Sequence, residues 1–356
     1  MSARTFLILV CPLVFGCTNN SAGRPERADS RQTPDSKDSG LSIVVYTALD
    51  REFSEPIFDD FTSETGIKIR AKYDTEANKS VALANLIIAE KERPRCNVLW
   101  NNEIIHTLRL QKEGLLAVYK SEQRDSYDPQ FYDSNGHWHG FAARARVLLV
   151  NKKLVAKQDF PNSIYDLADP KWKGRAAIAK PLFGTTASHA TCLFTTLGED
   201  NASQLFSQIK ANARVFAGNK QVAQAVASGV VDFGLTDTDD AMIEIENGHP
   251  VEIVYPDQET NQMGTLFIPN TLAIIKGSSS GNEQAKRLVD FLLSAKTEAK
   301  LAAGRSAQIP LNSQSIAKVR VQTPRTIRPM KVNFNDAASA WKQVSKHLRK
   351  QFMVAK

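Results

Sequence analysis

Apolar positions along the first part of the chain alternate between two periods. Leu41-Ser42-Ile43-Val44-Val45-Tyr46 is β-branched and of strand length. Residues 52–64 place Phe53, Ile57, Phe58 and Phe61 on one helical face, and Gly66 stops that helix. Ile67-Lys68-Ile69-Arg70-Ala71-Lys72-Tyr73 alternates as a second strand, and residues 80–91 read as a helix. Cys96-Asn97-Val98-Leu99-Trp100 is a third strand and 103–114 a further helix. Such alternation predicts an α/β fold with a mainly parallel sheet.

Beyond Gly140 the rhythm changes. Phe141-Ala142-Ala143-Arg144-Ala145-Arg146-Val147-Leu148-Leu149-Val150-Asn151 is a long strand, able to cross between two lobes. Residues 163–175 read as a short helix and turn, 176–179 as a strand, and Gly184-Thr185-Thr186 as a helix start. A strand near 214–216 leads to Gly218-Asn219-Lys220. Residues 221–229 are apolar at helical spacing, 230–235 have strand length, and 241–248 read as another helix. Asp237, Asp239 and Asp240 therefore fall where a strand ends and a helix begins. Ligands bind at that place in open α/β sheets. Carboxylates there also cap helix N–H groups and suit the dipole. Capping accounts for one or two of them; a ligand site accounts for all.

Composition changes the picture at the N-terminus. Arg4, the apolar stretch 5–15 and Gly16-Cys17 describe a signal peptide over residues 1–16, too short for a permanent membrane span. Val14-Phe15-Gly16-Cys17 is similar to a lipobox, so Cys17 is expected to carry a lipid, although Phe15 leaves ordinary cleavage open. Residues 17–40 have almost nothing to bury and read as a disordered tether. The expected location is the periplasm or cell surface, anchored to the membrane by lipid.

Cys96 and Cys192 lack metal-ligand spacing and read as unpaired buried thiols, with a disulfide as the alternative. The net charge of +7 includes a cluster at Lys342, Lys346, Arg349, Lys350 and Lys356. An exported chain meets little nucleic acid, so a solvated basic helix face is expected there. His106, His137, His139, His189, His249 and His347 are scattered, and His137-Trp138-His139 suggests a surface hairpin. No G-x-S-x-G, P-loop or zinc motif is present, so an enzyme has little support.

Tyr46-Thr47-Ala48, Glu64-Thr65-Gly66-Ile67 and Asn97-Val98-Leu99-Trp100 resemble bacterial periplasmic solute-binding proteins. Arg144-Ala145-Arg146-Val147-Leu148, Leu167-Ala168-Asp169-Pro170-Lys171-Trp172-Lys173-Gly174-Arg175 and Gly304-Arg305-Ser306-Ala307-Gln308-Ile309-Pro310-Leu311 resemble the ferric-iron-binding branch of ABC-importer receptors. The resemblance implies a two-lobed type II periplasmic-binding-protein fold, each lobe a mostly parallel sheet flanked by helices, joined by a hinge. Lobe 1 is expected over 41–143 plus about 266–320, and lobe 2 over 144–265 plus about 321–356. It further implies a monomer that delivers a small solute or metal ion to a permease and ATPase complex. The cargo would be Fe³⁺ or another hard cation, with or without a synergistic anion; a small anionic or phosphorylated organic solute is the alternative.

The ligand set departs from that pattern. The family's paired tyrosines fall on Asp239 and Asp240, its histidine near Asp50, and its glutamate near Asn102 with Glu103 beside it. Phenolate ligation therefore does not carry over. Asp50, Asn102, Glu103, Asp237, Asp239 and Asp240 are the candidate solute or metal contacts, and oxygen donors suit hard cations. Gly184, Thr185, Thr186 and Asn219 are the candidate anion contacts. Arg144, expected at the hinge and near the cleft, could add charge there. Salt bridging accounts for Arg144 and Arg146 equally well.

Overall fold

The computed structural model describes residues 41–74, 80–278 and 281–353, which belong to one compact unit. The signal peptide, Cys17 and the tether lie outside the described residues, as does Lys356. The strands and helices run β1 (Ser42–Thr47), α1 (Arg51–Thr65), β2 (Lys68–Tyr73), α2 (Val81–Ala89), β3 (Val98–Asn101), α3 (Ile105–Lys112) and β4 (His139–Asn151). They continue with β5 (Ala176–Ala179), α4 (Gly184–Leu197), α5 (Glu199–Asn212), β6 (Arg214–Phe216), α6 (Asn219–Ala227), β7 (Phe233–Asp237), α7 (Thr238–Glu246) and β8 (Val251–Val254). The last are β9 (Phe267–Ile274), α8 (Asn282–Leu292), α9 (Ala295–Ala303) and α10 (Phe334–Phe352).

Among the described residues the strand order is β2-β1-β3-β9-β4-β7-β5-β6, with β8 also on β4. The parallel pairs are β1–β2, β1–β3, β5–β6 and β5–β7. The expected parallel sheet is in fact mixed, because β4 and β9 run antiparallel to their neighbours. Parallel neighbours need a crossover connection between them, and β4 and β9, which link the two ends of the sheet, are not joined to their sheet neighbours by one.

β4 is the connecting strand that its apolar run predicted. Its residues 139–145 pair with β9, and residues 146–151 pair with β7 and β8. Every residue in it is buried. Its register shifts between Phe141 and Arg144, and Ala142 has a positive φ of 42°. Glu298 holds this bulge: its carboxylate accepts from the N–H of Ala142 at 2.6 Å and from that of Asn312 at 2.6 Å. Burial pushes the Glu298 carboxyl up to about 7.

Each half has its own packing. In α1, Ile57, Phe58 and Phe61 are buried at helical spacing, and Gly66, at φ 72°, caps the helix by donating to Thr62 O. Phe58 meets Trp100 edge-on at 5.6 Å, and Trp100 is fully buried, a contribution of about 1.5–3 kcal/mol for such a side chain. In the other half, a Cβ on Gly234 would lie 2.5 Å from Val222 Cγ1, so this glycine lets α6 sit close on the sheet.

Cys96 and Cys192 are free and buried, as expected. Lys342, Lys346, Arg349 and Lys350 are exposed on α10, while Ala337, Trp341, Val344 and Leu348 are buried. That helix packs on α3 and also on α4 and α5. His137-Trp138-His139 departs from the expected surface hairpin. Tyr132 and His139 do bridge antiparallel, but Trp138 and His139 are buried, because His139 begins the buried strand β4.

Candidate functional site

The carboxyl ends of β1, β3, β5, β6 and β7 converge on a small cleft. Among the residues lining it are Asp50, Asn102, Arg144, Lys180, Gly184, Thr185, Thr186, Asn219, Asp237, Asp239 and Asp240. Helix N-termini of α1, α4, α6 and α7 therefore surround the space. The space open to a water-sized sphere is about 20 Å³, enough for about one water.

Asp237, Asp239 and Asp240 each bring a carboxylate oxygen within 4.8 Å of the others. The strand reaches two residues further than the apolar run suggested, so Asp237 ends β7, and α7 starts at Thr238 instead of 241. Asp237 occupies the N-cap position of α7 without a side-chain cap bond, and Asp50 stands likewise at α1. Capping thus fails to account for either carboxylate.

Asp237 faces Arg146, its register partner across β4 and β7, at 2.6 Å. It also accepts from the Thr185 hydroxyl at 2.5 Å and from Asn219 Nδ2 at 3.0 Å. Thr186 donates to Asn219 Oδ1 at 2.8 Å. Arg144 Nη1 lies 3.0 Å from Asp239 Oδ2, and Asp239 Oδ1 accepts from the Asp240 N–H at 3.1 Å. Burial works against the Arg144 charge, but Asp239, Asp237, Asp240 and Asp50 outweigh it and raise its pKa. Both arginines are therefore committed to carboxylates. The side-chain hydrogen bonds of Thr185, Thr186 and Asn219 also run within the cluster, leaving the first-turn N–H groups of α4 and α6 as donors.

Glu103 does not join the site. Its carboxylate accepts from the N–H of Ile105 at 2.5 Å and of His106 at 3.0 Å, from Asn101 Nδ2 at 2.6 Å and from Ser188 Oγ at 2.8 Å. It secures the start of α3 and ties it to α4, and burial raises its pKa. Adjacent position in sequence suggested a ligand; the turn after β3 sends Asn102 to the cleft and Glu103 inward.

Lys180 lines the cleft and was not among the candidates. Its place directly after the strand 176–179 was the available signal, by the same strand-end rule that selected the aspartates.

Residues 107–339 match the model of the bacterial extracellular solute-binding protein family. The chain belongs to that family. The Fe(3+)-binding periplasmic protein of Serratia marcescens is 29% identical over 193 residues, 54% of this chain and 56% of that protein. Iron uptake protein A1 of Synechocystis is 27% identical over 309 residues, 82% of this chain and 83% of that one. Iron-bound HitA from Pseudomonas aeruginosa superposes with a TM-score of 0.78 at 25% identity, covering 86% of this chain and 99% of that one. The periplasmic binding protein AfuA from Actinobacillus pleuropneumoniae, with fructose-6-phosphate bound, also gives 0.78, at 22% identity over 88% and 99%. These matches show the type II periplasmic-binding-protein fold, a two-lobed α/β architecture, in this solute-binding protein.

Proposed function

We propose that this solute-binding protein is the extracytoplasmic receptor of an ABC importer for a hard cation, ferric iron first. The observation that carries this reading is the gathering of carboxylates at the cleft: Asp237, Asp239 and Asp240 bring oxygens within 4.8 Å of one another, and Asp50 lines the same space. Carboxylate oxygens suit Fe³⁺, Ca²⁺ and Mn²⁺. Asp239, Asp240, Asp50 and Asn102 are assigned as the cargo contacts, with Asp237 holding Arg146 behind them. The iron-binding relatives and neighbours named above support the same cargo.

In this reading the bulge in β4 is the hinge, with lobes over 41–143 plus about 266–320 and 144–265 plus about 321–356. Closing two lobes around cargo suits such a connection. Lipidation of Cys17 keeps the receptor near its permease and ATPase, and mass spectrometry of the mature N-terminus tests it. A small anionic or phosphorylated organic solute is the alternative cargo. The deciding experiment is calorimetry on metal-free protein with Fe³⁺ as its nitrilotriacetate chelate, Ca²⁺, Mn²⁺ and a hexose 6-phosphate. Binding of the sugar phosphate alone would overturn the cation reading.

A further inference from the structure

Charge along α10 has one sign. Lys342, Lys346, Arg349 and Lys350 are exposed on neighbouring turns of it, a stripe about 12 Å long. After Asp336 the chain contains no further aspartate or glutamate. No ion pair or side-chain hydrogen bond is found for any of the four side chains among the described residues. From the helices packed beneath, Lys112 of α3 donates to Asn335 O and Ser339 Oγ, and Lys210 of α5 donates to Gln351 O. Each end of the rod thus gains another cation. Glu199 of α5 reaches the helix at an amide instead: Gln343 Nε2 donates to its carboxylate at 2.8 Å.

A merely solvated helix face accounts poorly for this arrangement. Such a face mixes signs, because like charges four residues apart repel on a helix. Lys342, Lys346 and Lys350 repeat at that spacing. The helix dipole favours cations in the last turn, which covers Arg349 and Lys350 but not Lys342 and Lys346. The apolar side of the helix faces the protein, with Ala337, Trp341, Val344 and Leu348 buried. A protein partner would bury a core depleted in lysine and enriched in aromatic side chains. An unpaired cationic stripe matches a broad anionic plane instead.

We infer that α10 is a membrane-contact surface whose partner is an anionic phospholipid leaflet. Its four exposed cations meet the headgroup phosphates, and each strengthens attachment about fivefold. The inference takes its setting from the receptor reading, in which a lipid on Cys17 keeps the folded body within reach of a bilayer. That lipid fixes one point of the chain. The stripe fixes which face of the body meets the headgroups.

The test is co-sedimentation of the full mature chain with vesicles of phosphatidylcholine alone and of equimolar phosphatidylcholine and phosphatidylglycerol. Attachment should be stronger to the anionic vesicles. The difference should vanish between about 0.15 M and about 1 M salt, where the screening length falls from about 8 Å to about 3 Å. The double variant Lys342→Gln, Lys346→Gln should lose about tenfold or more of the anionic preference, and Lys342→Arg, Lys346→Arg should keep it. Lys152→Gln, Lys153→Gln removes the same charge from the exposed turn after β4 and should bind like the parent. The melting temperature of Lys342→Gln, Lys346→Gln should hold or rise, because repelling charges have been removed. Attachment that ignores lipid charge, or an equal loss in the two glutamine variants, overturns the inference. A chain that ignores neutral vesicles yet keeps the charge-dependent attachment supports the stripe and defeats only the anchor at Cys17.

Discussion

Arg144 Nη1 lies 3.0 Å from Asp239 Oδ2, and both side chains are more than nine-tenths buried. The pair ties the connecting strand β4 to the first turn of α7. Arg144 also donates from Nη2 to Asn270 Oδ1 at 3.2 Å, on β9.

Breaking that pair from either side strands a buried charge. Arg144→Ala and Asp239→Ala are each expected to cost about 3–5 kcal/mol of folding stability. The double variant should lose clearly less than the sum. Urea unfolding of the four proteins in a double-mutant cycle measures this, and additive losses would show the two residues to be uncoupled.

Asp240 is less buried than Asp237 and Asp239. Asp240→Asn should therefore change the stability of the empty protein by no more than about 0.5 kcal/mol. Cation affinity should fall about tenfold or more, read by calorimetry with the Fe³⁺ chelate. Parent-like affinity would remove Asp240 from the proposed ligand set.

No tyrosine lines the cleft among the described residues. A ferric complex held by carboxylates should lack the intense visible charge-transfer band of an iron–phenolate bond. An absorption spectrum of the iron-loaded protein checks this directly; a strong visible band would mean that a tyrosine reaches the metal.

Much of this site was legible in the chain before its fold was known. The strand-end rule put Asp237, Asp239 and Asp240 together, and the cleft gathers them with Asp50, Asn102 and Asn219. Pairing was what the sequence could not convey. Arg146 and Asp237 lie 91 positions apart and meet only through the register of β4 on β7. Glu103 shows the same limit at one-residue scale, because a turn decides which of two neighbours faces the cleft. The mixed sheet was hidden for a related reason. A long apolar run reports burial on both faces and says nothing of direction.

Glu103→Ala should cost about 1–3 kcal/mol, since it strips a buried acceptor from the Ile105 and His106 N–H groups and from Ser188. Cation affinity of the folded fraction should stay at the parent value. Chemical denaturation paired with calorimetry separates the two effects, and a selective loss of affinity would return Glu103 to the site.

Glu298 predicts a pH dependence. Its carboxyl moves from an ordinary 4.5 up to about 7 on folding, so the folded chain favours the protonated form. The resulting stabilisation is complete below about pH 4.5 and is lost as the pH rises to about 7. Relative to Glu298→Gln, the parent should lose about 3 kcal/mol across that window. Denaturant midpoints at several pH values measure it, and parallel pH profiles for the two proteins would refute it.

Helix α10 rests on α3, which follows β3, and on α4 and α5, which follow β5. His106 meets Trp341 edge-on at 4.7 Å, and His347 meets Phe194 at 5.4 Å. One rigid rod thus carries aromatic contacts to both sides of the molecule. In the proposed hinge reading, rotation about the bulge in β4 slides this rod over one of those surfaces. On that reading helix α10 acts as a brake on the cleft, and substitutions at Trp341 would retune its opening without touching the proposed cargo contacts.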